Sequence, residues 1–483
     1  MRPSNLLLIM SDQHNRRMMG CAGHPVVQTP NLDHLAARGV RFGNAYSNNP
    51  ICVPARACFA TGRYSHQLEC WDNSAPYVGQ APSWGHRLTA QGHRVTTIGK
   101  LHFRDRADDT GFPDQRVPLH IHKGAGDYYG LLREKTPPRL QNRKYLLEAG
   151  PGESEYLRYD RAIASQARRW LEEEASGHDR PWALLVSFVC PHTPFIAPPE
   201  YVALYPPESV ILPTGWAPED WPRHPALDLK RRVQAIDEPL DELTLRKAIA
   251  AYYALCSFMD AQVGVVLQTL EEEGLADKTR VLYTNDHGDM VGKHGLWYKS
   301  TMYEDSVGVS MIVAGPNVPE GTVSETNVSL IDIFPTVLEA AGVEPGPEDA
   351  GLDGTSLWQL AREDGHRSRT VFSEYHASAS PSGIFMVRGE RYKYVHYVGY
   401  PPQLFDLEAD PEESRNLADD PAHRAILEAC DRELRSIVEP EEIDARARAD
   451  QRRRIEAAGG EDAILGPGPK FTHSPPPEEF LSA

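Results

Sequence analysis

The chain has 483 residues, of which 41% are apolar and 24% charged, and it carries a formal net charge of -18. This length can bury one large core plus a smaller one, which excludes a small binding module. The acidic balance excludes a nucleic-acid footprint, and any site for an anionic substrate has to build its own local positive charge.

Met1-Arg2-Pro3-Ser4 leads directly into Asn5-Leu6-Leu7-Leu8-Ile9-Met10, an apolar run too short for a secretory segment and ending in polar Ser11-Asp12-Gln13. It predicts a buried strand. No stretch approaches the ~20 apolar residues of a bilayer span, so the expectation is a cytoplasmic protein without a membrane partner. Further strand-length apolar runs occupy residues 93–99, 182–189, 280–284 and 309–314, with helical patterns at 29–38, 159–175 and 331–341. The longest helix is marked by Leu245, Ile249, Tyr252, Cys256, Met259, Val263, Val266 and Leu270, whose alternating spacing of four and three forms one stripe ending before Gly274. Strands alternating with amphipathic helices predict an α/β core with a largely parallel sheet.

After about residue 370 the pattern changes to short runs at 384–388 and 392–398 joined by Gly389-Glu390-Arg391, a hairpin signal, followed by a helix over 421–438. The chain is therefore divided into a catalytic domain, 1–368, and a C-terminal α+β subdomain, 369–483. The Pro- and Gly-rich stretch 466–477 is expected to be an extended tail that packs on another subunit, which implies a homo-oligomer. Seven scattered cysteines, an odd number, predict buried thiols rather than a disulfide framework.

The segment Asn49-Pro50-Ile51-Cys52-Val53-Pro54-Ala55-Arg56-Ala57-Cys58-Phe59-Ala60-Thr61-Gly62-Arg63 is the most informative. Pro54 suits the first turn of a helix and Gly62 its end, so Cys52 sits just before the helix N-terminus, where free N–H groups favour anions. Arg56, four residues on, returns to that place. Asp12-Gln13 ends the first strand, and Asn285-Asp286-His287-Gly288-Asp289 follows another. Both would offer ligands at the carboxyl edge of the sheet. Gly99-Lys100-Leu101-His102, Cys190-Pro191-His192-Thr193-Pro194 and His294-Gly295-Leu296-Trp297-Tyr298-Lys299 also follow strands or the acidic motif. Each of these alone is a weak signal.

Together, C-x-P-x-R followed by T-G and the other segments in this chain order resemble the type I, formylglycine-dependent sulfatases of the alkaline phosphatase superfamily, near the choline sulfatase and phosphonate monoester hydrolase branches. The serine usual before the arginine is Ala55 here. The resemblance covers roughly residues 5–340, and continues loosely in Tyr392-Lys393-Tyr394 and Gln403-Leu404-Phe405-Asp406-Leu407. It implies an alkaline-phosphatase-like, mostly parallel sheet flanked by helices. It also implies that a formylglycine-generating maturation enzyme oxidises Cys52. Asp12, Gln13, Asp286 and His287 would then surround one divalent cation, with the oxygen derived from Cys52 completing the shell. Hard oxygen ligands favour Ca2+, and the histidine keeps Mn2+ plausible, with Mg2+ a further candidate.

The implied substrate is a small sulfate ester. Arg56, Lys100 and Lys299 would supply the positive charge its oxygens need, and a hydrated aldehyde would offer two hydroxyls on one carbon. One attacks sulfur while His192, with Lys299, protonates the leaving oxygen; His102 deprotonates the second, which expels sulfate. Asn73 resembles a substrate-contacting position. The nearest alternative is a phosphonate monoester or phosphodiester hydrolase using the same nucleophile, and a more distant one is a binding protein with unmodified Cys52.

Overall fold

A computed structural model of the protein describes residues 3–363, 368–466 and 474–481. Its centre is an eight-stranded sheet built from β1 (Asn5–Asp12), β2 (Gly39–Phe42), β3 (Val95–Lys100), β4 (Asp114–Leu119), β5 (Ala183–Pro191), β6 (Thr279–Asn285), β7 (Met311–Ala314) and β8 (Thr322–Ser324). The strand order is β8-β2-β7-β6-β1-β5-β3-β4. All neighbours run parallel except the pairs β7 makes with β6 and β2. Central β1 shows why its sequence reads as a continuous apolar run. Leu7 and Ile9 enter one core while Leu6, Leu8 and Met10 enter the other, so both faces of the strand are covered.

One face carries α1 (Pro30–Ala37), α3 (Glu155–Glu173) and α5 (Glu242–Glu272); the other carries α2 (Cys52–Thr61) and α6 (Ile333–Ala341). Helix α5 keeps the eight-residue stripe buried. It starts where the Asp241 carboxylate accepts the Thr244 N–H at 3.0 Å, and it is followed by Gly274 at φ +64°. By length and mean hydropathy of 1.4 this helix could cross a membrane, but 83% of that window is buried in the protein core.

The C-terminal part forms an antiparallel sheet of β9 (Val371–Tyr375), β10 (Ile384–Arg388), β11 (Tyr392–Tyr397) and β12 (Tyr400–Asp406), in that order. The β10–β11 pair is the expected hairpin. Val371, Ile384, Met386 and Val395 pack with Tyr46, Ile51 and Val307, which fixes this sheet against the edge of the large unit that holds Cys52. The expected helix after it divides into a short 3-10 turn and α7 (Arg424–Ile437), and an 18-residue helix, α8 (Pro440–Ala457), was not foreseen. Its sequence lacks an apolar stripe; it is held instead by Ile443 and Ala447 in the local core and by Asp444, which pairs with Arg133 at 2.8 Å. All seven cysteines are free, five of them buried. Of the tail, residues 467–473 lie outside the described residues.

Candidate active site

Four strands deliver the site at their carboxyl ends: β1 ends with Asp12, β3 with Lys100, β5 leads into His192, and β6 leads into Asp286 and His287. Close approach of β3 to β5 requires Gly99, whose φ is +101° and whose absent Cβ would lie 2.2 Å from the Ser187 carbonyl oxygen. Cys52 arrives from the other direction as the first residue of α2, after Ile51 in extended conformation. Ligand atoms of Asp12, Cys52, Asp286 and His287 all lie within 4.8 Å of one another and are fully buried.

The hydrogen bonds around this cluster leave one side of it for a cation. His287 Nδ1 donates to the Gly288 carbonyl at 3.1 Å, which turns the Nε2 lone pair inward. Nε2 then faces Asp286 Oδ1 at 3.6 Å, Asp12 Oδ1 at 3.8 Å and Cys52 Sγ at 3.1 Å. A lone pair opposed to two carboxylate oxygens is unfavourable unless positive charge stands between them. Three hard oxygen and nitrogen donors therefore fit a divalent metal. The outer carboxylate oxygens are satisfied separately: Arg56 Nε donates to Asp286 Oδ2 at 2.9 Å, and Asp12 Oδ2 accepts from Arg56 at 3.3 Å and Lys100 Nζ at 2.6 Å. Burial pushes the Asp12 carboxyl upward, but Lys100, His192 and Arg56 outweigh it and hold the group well below the ordinary carboxylate range.

Gln13, expected in the ligand set, adjoins the cluster through its backbone, its N–H donating to Asp286 Oδ1 at 3.2 Å from an unusual position at φ +68°. Its Nε2 donates to Asp289 Oδ2 at 2.6 Å, so Oε1 points the other way and accepts from Lys299 Nζ. Asp289 in turn accepts the N–H groups of Val291 at 2.8 Å and Tyr298 at 3.0 Å through Oδ1. Asp289 stood in the quoted acidic motif, but its spacing gave no role; its function as the anchor of the Gln13 amide emerges only across 276 residues of sequence.

Burial and the neighbouring Asp12 carboxylate push the Cys52 thiol up to about 11. At neutral pH the unmodified side chain is thus a protonated, poorly nucleophilic thiol. Above it opens a pocket of about 110 Å³ lined by Gln13, Cys52, Asn73, Lys100, His102, His192 and Lys299 among others. His192 Nδ1 donates to the Thr193 carbonyl at 2.8 Å, leaving Nε2 as the working nitrogen. Burial and the nearby Lys299 charge push this imidazole well below its ordinary range. His102 is likewise pushed down, by burial and by Lys100 and Arg56. Its Nε2 meets Ser474 Oγ at 2.9 Å, and Tyr156 donates to the Ser474 carbonyl at 2.9 Å.

The structure adds contacts to three of the sequence expectations. Arg56 does not line the pocket; it lies beneath the two carboxylates, with further bonds to the Lys100 carbonyl at 2.6 Å and Ser187 Oγ at 2.9 Å, so its charge serves the ligands. Asn73 lines the pocket, but its Oδ1 also accepts the Val53 N–H at 3.1 Å and so caps the helix bearing Cys52. Of the tail, Ser474 lies on the site of its own chain, where it gives the buried His102 ring a hydrogen-bond partner. His294, quoted with Lys299, lies outside the pocket lining and meets the Glu412 carbonyl at 3.0 Å.

Residues 4–343 match the family Sulfatase, and residues 292–439 match N-sulphoglucosamine sulphohydrolase, C-terminal. The choline-sulfatase of Rhizobium meliloti (strain 1021) is 33% identical over 93% of this chain and 90% of its own length. The arylsulfatase K of Danio rerio is 30% identical over 90% of this chain and 84% of its own. Among solved structures, the phosphonate monoester hydrolase of Agrobacterium radiobacter superposes with a TM-score of 0.70 at 25% identity, covering 92% of this chain and 96% of that one. With the family match spanning most of the chain and the C-x-P-x-R cysteine seated among side chains that could hold a metal, the protein belongs to the sulfatase family and is a sulfuric ester hydrolase.

Proposed function

We propose that the protein hydrolyses a sulfate monoester to an alcohol or phenol and inorganic sulfate, using formylglycine made from Cys52 by a formylglycine-generating enzyme. The observation that carries this reading is the buried meeting of Asp12, Cys52, Asp286 and His287 beside Lys100. We further propose that Asp12, Gln13, Asp286, His287 and the modified residue 52 hold one divalent cation, Ca2+ by preference for the oxygen-rich set. When bound, such a cation supplies Lewis acidity to sulfate and nucleophile oxygens. Formylglycine supplies, as a hydrated aldehyde, two hydroxyls on one carbon.

The remaining work falls to the chain's own residues. Lys100 and Lys299 line the pocket and turn positive charge toward the sulfate oxygens, where charge develops during transfer. His192, oriented through Nδ1, holds a proton at Nε2 for the leaving oxygen once the anionic substrate offsets the Lys299 charge. His102, neutral in its buried setting, accepts the proton lost when sulfate is released. Arg56 holds both carboxylates in place. Asn73 fixes the first turn that presents residue 52.

Lys100 also favours sulfate over phosphorus diesters, because a second organic substituent would need the space its ammonium occupies. The test combines two measurements on protein co-produced with a formylglycine-generating enzyme: the mass of the tryptic peptide from Phe42 to Arg56, and kcat/KM for aryl and alkyl sulfates against matched phosphonate monoesters. An aldehyde at residue 52 and preference for sulfate are expected. Full activity with unmodified Cys52, or preference for the phosphonate, would overturn the reading.

A further inference from the structure

The pocket is lined by a buried lysine to which the chain offers no counter-charge among the described residues. Lys230, on α4 (Pro225–Val233), is 5% exposed and lines the pocket. Its Nζ lies 5.7 Å from the ring centroid of Tyr375, and among the described residues it makes no ion pair or side-chain hydrogen bond. Burial, and after it the neighbouring cations Arg139 and Lys299, push its pKa well below the ordinary lysine range. The single carboxylate lining the pocket among the described residues, Asp127, is already committed to Arg139 at 2.7 Å. A buried ammonium without a counter-charge is costly, and such groups are paired or meet a ligand's charge.

We propose that Lys230 receives an anionic group on the organic half of the sulfate ester, a carboxylate or second sulfate, so that the preferred substrates carry two negative charges. This rests on the sulfatase reading, and it names the substrate class. The reacting sulfate occupies the end of the pocket near Cys52, Lys100 and Lys299, and the second anion occupies the end bounded by Lys230 and Tyr375. A cationic organic group, by contrast, meets Lys230 and Arg139 with no free carboxylate among the described lining residues.

The test compares carboxyphenyl sulfates with the isosteric, neutral carbamoylphenyl sulfates and with choline sulfate on the matured enzyme. The carboxylate ester is expected to have the highest kcat/KM. Lys230→Met should lower it roughly ten- to a hundredfold, the range of one charge-assisted hydrogen bond, while changing the carbamoyl ester by less than about threefold. Lys230→Arg should restore most of the loss. Because the ammonium has no ion pair among the described residues and only the Tyr375 ring faces it, Lys230→Met should leave Tm unchanged or raise it. Equal loss on both aryl esters, or a wild-type preference for choline sulfate, would overturn the proposal. If no sulfate ester is turned over, the sulfatase reading itself fails, and calorimetric binding of hydroxybenzoates against hydroxybenzamides to wild type and Lys230→Met still decides the role of Lys230: selective loss of hydroxybenzoate binding supports it, and equal binding rejects it.

Discussion

Asp289→Asn isolates the bond that aims Gln13. The substitution preserves volume and keeps an oxygen for the N–H groups of Val291 and Tyr298, which bind Oδ1 at 2.8 and 3.0 Å. It replaces Oδ2, 2.6 Å from Gln13 Nε2, with a second N–H donor. Two donors cannot face each other at that distance, so a charge-assisted bond of about 1.5–3 kcal/mol is lost and the Gln13 amide turns over. Its NH2 then points at Lys299 and at the ligand cluster, where an oxygen is needed. Loss of such an orienting contact lowers metal affinity roughly 10- to 100-fold. Calorimetric titration of Ca2+ and Mn2+ into metal-stripped protein measures this directly, while Tm should change little. Adding Gln13→Glu to Asp289→Asn should recover affinity, because a carboxylate can accept from the new amide and still offer an oxygen inward. Wild-type metal affinity in Asp289→Asn would refute both the amide orientation and the place of Gln13 among the ligands.

Lys100→Ala removes the 2.6 Å bond to Asp12 and the ammonium facing the pocket, and should lower kcat/KM for an aryl sulfate by roughly ten- to a hundredfold, more than for the matched phosphonate monoester. Cys52→Ser supplies one hydroxyl where hydrolysis needs two, so stopped-flow product release should show a single turnover per site and then stall. His294 is pushed down to about 4 by burial and by Lys293. Its folded value lies below the unfolded one near 6.5, so the unfolded chain binds more protons between those values, and stability falls as pH drops from about 6.5 toward 4. The gap corresponds to about 3 kcal/mol; urea unfolding at pH 7 and 4.5 should show the loss, and His294→Gln should reduce it by about that share while the other depressed histidines keep theirs.

Alternating apolar and amphipathic segments determined the parallel core without tertiary information, since a strand covered on both faces can only be a continuous apolar run, as β1 is. Local chemistry likewise marked the ends of β1 and β6 and the start of α2, because Asp-Gln, Asp-His and C-x-P-x-R each sit beside a strand or helix terminus. Helix α8 was illegible because its polar sequence is held by contacts such as Asp444 with Arg133, a partner 311 residues away. The same limit applied inside the site. Whether Arg56 faces substrate or carboxylates, whether Asp289 is a turn residue or the anchor of Gln13, and whether Lys230 is a surface charge or a buried one depend on which atoms lie within about 3 Å. Sequence spacing sets those distances only within one element. Across elements they are set by sheet order, by close approach at Gly99, and by the left-handed backbone at Gln13 and His102, φ +68° and +60°, which packing alone can hold in place.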